Sequence, residues 1–280
     1  MSLLDAFRSS APVRTPVRKI PTGLLLVDNM ITGVPLRGIT LLLGDAKNAV
    51  DVFMRQVTIH ADEHIPRKYK CVVDFDVEGG DFEKIDVWCF EEFVARLSVI
   101  DNPVFCMSNM YMSIDVSYEA LLLSKFKSVF CSGLDNALVV YLDQQAGVPK
   151  AVVDWMIMQA TCVLKFSEMD NESLVSLGAT IAKKSSVSGF VPVLPSGARI
   201  TVIKRPLSSS PLRTAYFPYD NSGLYDALSV FHHLLDKGTI IICGVDVGCV
   251  YYCCNGLNKF TFDEWLDSFD DLRSFLANQI

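Results

Sequence analysis

Ile39-Thr40-Leu41-Leu42-Leu43 runs directly into Gly44-Asp45-Ala46-Lys47-Asn48-Ala49-Val50-Asp51. The first five residues are apolar around one threonine, the composition of a strand buried on both faces. Gly44 then marks a turn, and Ala49–His60 carries apolar residues at helical spacing. A strand that turns sharply into a helix is where an α/β protein binds anions, because the first helical N–H groups point outward at the positive end of the dipole. A phosphate loop of the form G-x-x-x-x-G-K-[ST] starting at Gly44 would require glycine, lysine and a hydroxyl at the next fixed positions. Those positions hold Ala49, Val50 and Asp51. Val50 cannot neutralise a phosphate, and Asp51 adds negative charge where one would sit. Taken alone, the stretch reads as a plain strand–turn–helix.

Working outward, short apolar runs alternate with amphipathic stretches. Tyr69–Asp74, Val104–Met107 and Ala137–Leu142 read as strands, with helices over Phe90–Leu97 and Tyr118–Phe130 between them. That alternation predicts an α/β fold, a mostly parallel twisted sheet flanked by helices. The character changes after Ala160. Thr161–Phe166, Ile200–Ile203 and Thr214–Phe217 read as antiparallel strands joined by Gly/Pro/Ser turns. Leu224–Leu235 is a helix with Gly238 as its stop signal, followed by strands Ile240–Cys243 and Val250–Cys254 and an Asn255-Gly256 turn. The last twenty residues predict an acidic amphipathic helix with Trp265, Phe269, Leu272 and Phe275 on one side. The organisation is an N-terminal arm over residues 1–19 and one core over 20–280, closed by an antiparallel C-terminal extension.

Composition limits the function. The 280 residues are 50% hydrophobic, which excludes a disordered chain. The charge is 25 Lys+Arg against 32 Asp+Glu, net −7. Stand-alone nucleic-acid modules are usually basic, so DNA would bind here only at a local patch or inside an assembly. The basic arm (Arg8, Arg14, Arg18, Lys19) and the acidic end (Asp263, Glu264, Asp267, Asp270, Asp271) suggest head-to-tail association or a screened binding surface. Two ordinarily solvated termini fit equally. Nine cysteines cannot all pair internally, and Cys249, Cys253 and Cys254 lack the paired C-x-x-C spacing of zinc sites. No metal site is expected. His60 and His64 stand four apart beside Asp62 and Glu63, but Pro66 makes them a solvated helix end. Free thiols and the lack of an apolar span or signal core predict an intracellular, cytoplasmic protein with no membrane partner.

The order of segments resembles the RecA-type recombinases, most nearly their phage relatives of the UvsX kind. Ile20-Pro21-Thr22-Gly23 and Gly33-Val34-Pro35-Leu36-Arg37-Gly38-Ile39-Thr40 look like that family's entry into its first core strand. Asp76-Val77-Glu78 follows the second strand as the family's D-x-E does, and the resemblance makes Glu78 the residue that positions the attacking water. Leu138–Leu142 then Asp143-Gln144 is similar to the strand whose glutamine, here Gln144, senses the γ-phosphate. Thr201-Val202-Ile203-Lys204-Arg205 resembles the strand whose lysine, here Lys204, reaches a neighbouring protomer's nucleotide. Asn221–Lys237 is similar to the helix that closes the core.

The family's RecA-like core thereby implies a nucleotide site at Gly44, Asp45, Ala46, Lys47, Asn48, Ala49, Val50 and Asp51 with Gln144 and Lys204, and ATP with magnesium as cofactors. It implies single-stranded DNA held by two loops. The loops correspond to Tyr111–Ser117 and Gln145–Asp154, with Tyr111, Gly147 and Lys150 as contacts. It also implies self-association into a head-to-tail oligomer or filament, through an arm anchored by Phe7, and another recombination protein as a partner. The departures bear on chemistry. The Walker lysine is Val50, Met107 stands where the magnesium-organising aspartate is expected, and both DNA loops are short. Metal and lysine each contribute several kcal/mol to phosphoryl transfer, and about 1.4 kcal/mol is tenfold in rate. Three functions follow: a DNA recombination and repair protein coating single strands with weak or absent ATPase, a pseudo-ATPase adaptor or recombination mediator working through protein contacts, or an ATPase in which Lys47 replaces the lost lysine.

Overall fold

In the computed structural model the described residues are 19–35, 38–64, 70–73, 83–84, 104–107, 137–143, 150–170, 173, 196–205, 210–220, 223–246, 249–254, 259–278 and 280. Strands β1 (Lys19–Ile20) and β2 (Val34–Pro35) pair antiparallel around helix α1 (Leu25–Ile31). The central strand β3 (Gly38–Gly44) leads into α2 (Lys47–His64). Then come β4 (Lys70–Val73), β5 (Glu83–Lys84), β6 (Val104–Met107), β7 (Ala137–Asp143) and helix α3 (Lys150–Gln159). The second half holds β8 (Cys162–Glu168), β9 (Ser196–Lys204), β10 (Thr214–Asp220), β11 (Gly223–Leu224) and α4 (Asp226–Asp236). It ends with β12 (Ile240–Asp246), β13 (Cys249–Cys254), β14 (Phe260–Thr261) and α5 (Phe262–Leu276).

The nine-stranded sheet has the order β11-β10-β9-β8-β3-β7-β6-β4-β5. From β8 to β5 every neighbour is parallel, and from β8 outward to β11 every pairing is antiparallel. The mixed α/β architecture is the expected one. One detail is corrected. β8 pairs parallel with β3 (Thr40↔Cys162 through Gly44↔Phe166), so the switch to antiparallel comes at β9 and not at Thr161. β8 has apolar residues inward on both faces of its first half, Cys162, Val163 and Leu164 all being buried, which is the environment of an interior parallel strand. The helices expected over Phe90–Leu97 and Tyr118–Phe130, the arm with Phe7, and the Asn255-Gly256 turn lie outside the described residues.

Packing follows periodicity. α2 puts Ala49, Val50, Phe53, Met54 and Val57 into the core, three and four residues apart. Phe53 lies 5.2 Å from Phe166 between ring centroids. The three-stranded sheet β12-β13-β14 packs on α4 and α5 through an aromatic cluster. Phe231 meets Tyr252, Phe262 and Trp265 edge-on at 5.0, 4.9 and 5.5 Å. α5 starts with a capping box in which Thr261 accepts from the Glu264 N–H while Glu264 accepts from the Thr261 N–H. As expected, Trp265 and Phe269 are buried and Leu272 and Phe275 pack behind them. Among the described residues no helix is long and apolar enough to cross a membrane.

One buried carboxylate ties the ends of the chain together. Asp226, the first residue of α4, accepts the Leu25 N–H with both oxygens at 2.9 Å and lies 3.2 Å from Arg273 of α5. Arg273 also donates to the Gly23 carbonyl at 2.7 Å. Burial pushes the Asp226 carboxyl up to about 7, against the Leu25 hydrogen bond and the Arg273 charge, which pull it down. A carboxyl raised in the folded state gives stability that is present at low pH and lost as pH climbs through the folded value. Wild type should therefore lose stability relative to Asp226→Asn between about pH 4 and 7, measured by urea unfolding. Asp226→Ala, which leaves the guanidinium and the Leu25 N–H without their buried partner, should cost about 3 kcal/mol. A wild type that instead gains on the asparagine variant with rising pH would mean that the ion pair outweighs burial.

Candidate functional site

The carboxyl ends of parallel strands are where α/β folds bind ligands, and here those ends are Gly44 of β3 and Glu168 of β8. Only Asp45 and Ala46 separate β3 from α2. The connection is stitched to the neighbouring strand. The Asp45 N–H donates to the Phe166 carbonyl at 3.2 Å, and the Asp45 carboxylate accepts the Glu168 N–H at 3.3 Å. The Lys47 and Val50 N–H groups donate to Asp45 and Ala46 carbonyls at 3.0 Å each. Tyr141 of β7 donates its hydroxyl to the Gly44 carbonyl at 3.3 Å. Gly44 has φ +126°, and a Cβ there would lie 1.7 Å from the Phe166 carbonyl oxygen. A glycine is required because backbone from β8 occupies the place of a side chain.

The candidate nucleotide residues divide by orientation. Ala46, Ala49 and Val50 are fully buried and face the core. Asp45, Lys47 and Asn48 are exposed, and Asp51 is half-buried. The position that would carry a phosphate-binding ammonium is thus a core position, occupied by a core residue. Within the chain, Lys204 of β9 lies against α3. Its ammonium donates to the Ile157 and Met158 carbonyls at 3.1 and 2.8 Å, neutralising the carboxyl end of α3.

Beside the first turns of α2 a cleft of about 400 Å³ is lined by Asn48, Asp51, Val52, Arg55, Ser196, Tyr219 and Asp220. Next to it, the Tyr219 hydroxyl donates to Glu168 Oε1 at 3.2 Å. Burial raises the Glu168 carboxyl and the charge of Asp45 raises it further, against the Tyr219 hydrogen bond. The Tyr219 hydroxyl is pushed up to about 12 by burial and by the Glu168 charge. The junction therefore gathers the carboxylates of Asp45 and Glu168, with Asp51 and Asp220 in the cleft beside them. Arg55 and the exposed Lys47 of α2, with Lys165 of β8 and Arg199 of β9 on the neighbouring strands, are cations of the same region. Arg55, Glu168, Tyr219 and Asp220 were not among the sequence candidates. The strand expected over Thr214–Phe217 runs on to Asp220, and that extension delivers Tyr219 and Asp220.

The remaining candidates are scattered or undescribed. Met107 ends β6, in register with Val140 of β7 and Val73 of β4, which is the place of a magnesium-organising carboxylate in the expected core. Lys150 opens α3 and ion-pairs with Asp154 at 3.1 Å on the solvent side. Residues 150–154, expected as part of a DNA-binding loop, are therefore helical. Pro149 immediately before Lys150 is a helix-start signal that the loop reading passed over. Glu78, Tyr111, Gln144 and Gly147 lie outside the described residues. Among the described residues no group of three or more His, Cys, Asp or Glu side chains could hold a metal ion.

Comparison with known proteins places the architecture. No protein-family model matches the chain, and no curated protein matches it in sequence. Among solved structures, a KaiC-like protein from Pyrococcus horikoshii is similar with a TM-score of 0.52 at 11% identity, over 75% of this chain and 100% of that one. The flagellar accessory protein FlaH from Methanocaldococcus jannaschii is similar with a TM-score of 0.52 at 10% identity, over 75% and 98%. The fold is RecA-like, and these likenesses do not single out the phage UvsX type.

Two substitutions test the geometry of the junction. Gly44→Ala should destabilise by more than about 3 kcal/mol or abolish folding, since it combines a positive φ with a backbone clash. Val50→Lys, which restores the lysine by sequence, should cost several kcal/mol in urea unfolding because it buries an ammonium. A Val50→Lys protein as stable as wild type would show that the helix face can turn outward.

Proposed function

We propose that this RecA-like chain is a nucleotide-independent adaptor, a pseudo-ATPase that acts through contacts with other proteins. The observation that carries this reading is the burial of Val50 beneath a two-residue turn that is hydrogen-bonded to β8. A phosphate cradle needs free backbone N–H groups and a cation facing the ligand. Here the N–H groups of Asp45, Lys47 and Val50 already have carbonyl partners. The carboxylates of Asp45 and Glu168 occupy the mouth, and Lys204 serves α3. Edge strand β12 supports a protein partner. Ile241, Ile242 and Val245 are 54%, 60% and 70% exposed, on a strand whose outer side is unpaired among the described residues. A second copy in a head-to-tail assembly and a separate recombination protein are partners of this same class.

The competing reading, a phage-type recombination protein that coats single-stranded DNA, rests on Tyr111, Gly147 and Lys150. Lys150 is the one described residue of the three, and its ammonium is already beside Asp154. The ATPase reading with Lys47 as the substituted lysine has an exposed side chain in its favour and the surrounding carboxylates against it.

The deciding experiment titrates the full chain with Mg·ATP by calorimetry and a labelled single strand by fluorescence anisotropy at two salt concentrations. The adaptor reading expects no saturable ATP binding up to about 1 mM, an affinity worth only about 4 kcal/mol. It also expects no salt-sensitive DNA binding. DNA binding that weakens with salt and ignores ATP would replace the adaptor with a strand-coating protein. ATP binding tighter than about 100 μM would restore a working nucleotide site.

A further inference from the structure

The three-stranded sheet carries a feature that the RecA-like core does not use. The β12–β13 ladder runs in register from Ile240↔Cys254 to Ile242↔Tyr252, then resumes at Gly244↔Tyr251. Cys243 is the extra residue of this β-bulge and has no opposite partner in the ladder. A bulged residue is freed from cross-strand pairing and its side chain is re-aimed. The Cys243 side chain here hydrogen-bonds with Cys253 on the adjacent strand. Cys243 is exposed and Cys253 half-buried. Lys259 stands over the same place. Its ammonium would be 3.4 Å from a Cβ on Gly244, the residue after Cys243, and it lies 3.9 Å from the centroid of the Tyr251 ring.

We propose that Cys243 and Cys253 form a surface dithiol that reacts with small anionic disulfides of the glutathione type and closes into a disulfide across β12 and β13. The other cysteines of this sheet are placed differently. Cys249 pairs in the ladder with Asp246, and Cys254 is buried opposite Ile240. The chemistry needs a thiolate, a second thiol within reach and a positive charge to favour the thiolate and the incoming anion. Cys243 and Cys253 supply the two sulfurs, and Lys259 beside them supplies the charge.

The order of attack follows from exposure, Cys243 being exposed and Cys253 half-buried. The Cys253 thiol is pushed up, first by its hydrogen bond with Cys243, then by burial and by the Cys243 charge, while Lys259 pulls it down. An external disulfide therefore meets Cys243 first. The Cys243 thiolate attacks one sulfur of the external disulfide, forming a mixed disulfide and expelling one thiolate. Cys253 then gives up its proton and attacks the Cys243 sulfur, expelling the second thiolate. Two protein thiols are oxidised by two electrons, and one external disulfide is reduced to two thiols.

Folded full-length protein is incubated with glutathione disulfide and read by intact mass and by chymotryptic mapping with fragmentation of the linked peptides, cutting within β13 at Tyr251 and Tyr252, between Cys249 and Cys253. The expected product is lighter by two hydrogens, keeps no glutathione, and links Cys243 to Cys253. Cys253→Ser should trap one glutathione on Cys243, and Cys249→Ser should close as wild type does. Lys259→Met should slow closure severalfold, since it removes the positive charge beside the pair that favours a thiolate and attracts the anionic disulfide. Glutathione left on the wild-type protein, closure through Cys249 or Cys254, or thiols inert in the folded chain would each overturn the proposal. The result is independent of whether the chain binds nucleotide.

Discussion

The place where Gly44 meets the Phe166 carbonyl fixes the rest of this molecule. β3 and β8 run parallel and in register up to that point, and the main chains come too close for any side chain on Gly44. The chain must then turn within Asp45 and Ala46 to start α2, which leaves the helix no choice of rotation. Ala46, Ala49, Val50 and Phe53 are delivered to the core by that rotation, and Phe53 lands on Phe166 from the same strand that closed the turn. Val50 therefore belongs to a junction in which the Asp45, Lys47 and Val50 N–H groups and one face of the helix are engaged within the protein.

How much of this could be read from the sequence depended on whether an element carries its own signal. β3 and β7 were legible because a strand buried on both faces must be continuously apolar, and Ile39–Leu43 and Ala137–Leu142 are. α5 was legible from its stripe of Trp265 and Phe269. The direction of β8 was not legible, because Cys162–Phe166 is equally apolar whether its neighbour runs parallel or antiparallel. That choice is set by pairing to Thr40–Gly44, more than a hundred residues earlier in the chain. α3 was misread because Val152 and Val153 weaken its helical propensity, and because residue order made a loop the natural reading. α1, which the sequence reading passed over, is a short helix closed by the left-handed Thr32, without a side-chain cap at its start. Nothing local announces it.

At the candidate site the sequence located the junction and the unsuitability of Val50 and Asp51 for phosphate, but not which of its residues are buried. Each quoted residue from Gly44 to Asp51 does lie at the strand–helix turn, but burial separates Val50 and Ala49 from Asp45 and Lys47, and burial is a tertiary property. The cleft residues come from three elements, with Arg55 on α2, Ser196 on β9 and Asp220 on β10. Their convergence depends on the β8-β9-β10 order, which no single segment encodes. Lys204 has an intrachain partner that the sequence does not announce. A lysine ending a strand beside α3 finds two unpaired helix carbonyls within reach, and it serves them without any ligand.

Fold and chemistry separate here for an energetic reason. A lysine at position 50 would be useful only if bound phosphate offset the cost of desolvating its ammonium, so without nucleotide it would destabilise the chain. Valine reverses that dependence. Its burial contributes roughly 1.5–3 kcal/mol in the absence of any ligand. Lys204 is likewise paired within the chain, on the carboxyl end of α3. A RecA-like sheet assembled in this way keeps its shape unaided, and a core that needs no ligand to hold its shape can present its edges and faces to another macromolecule at all times.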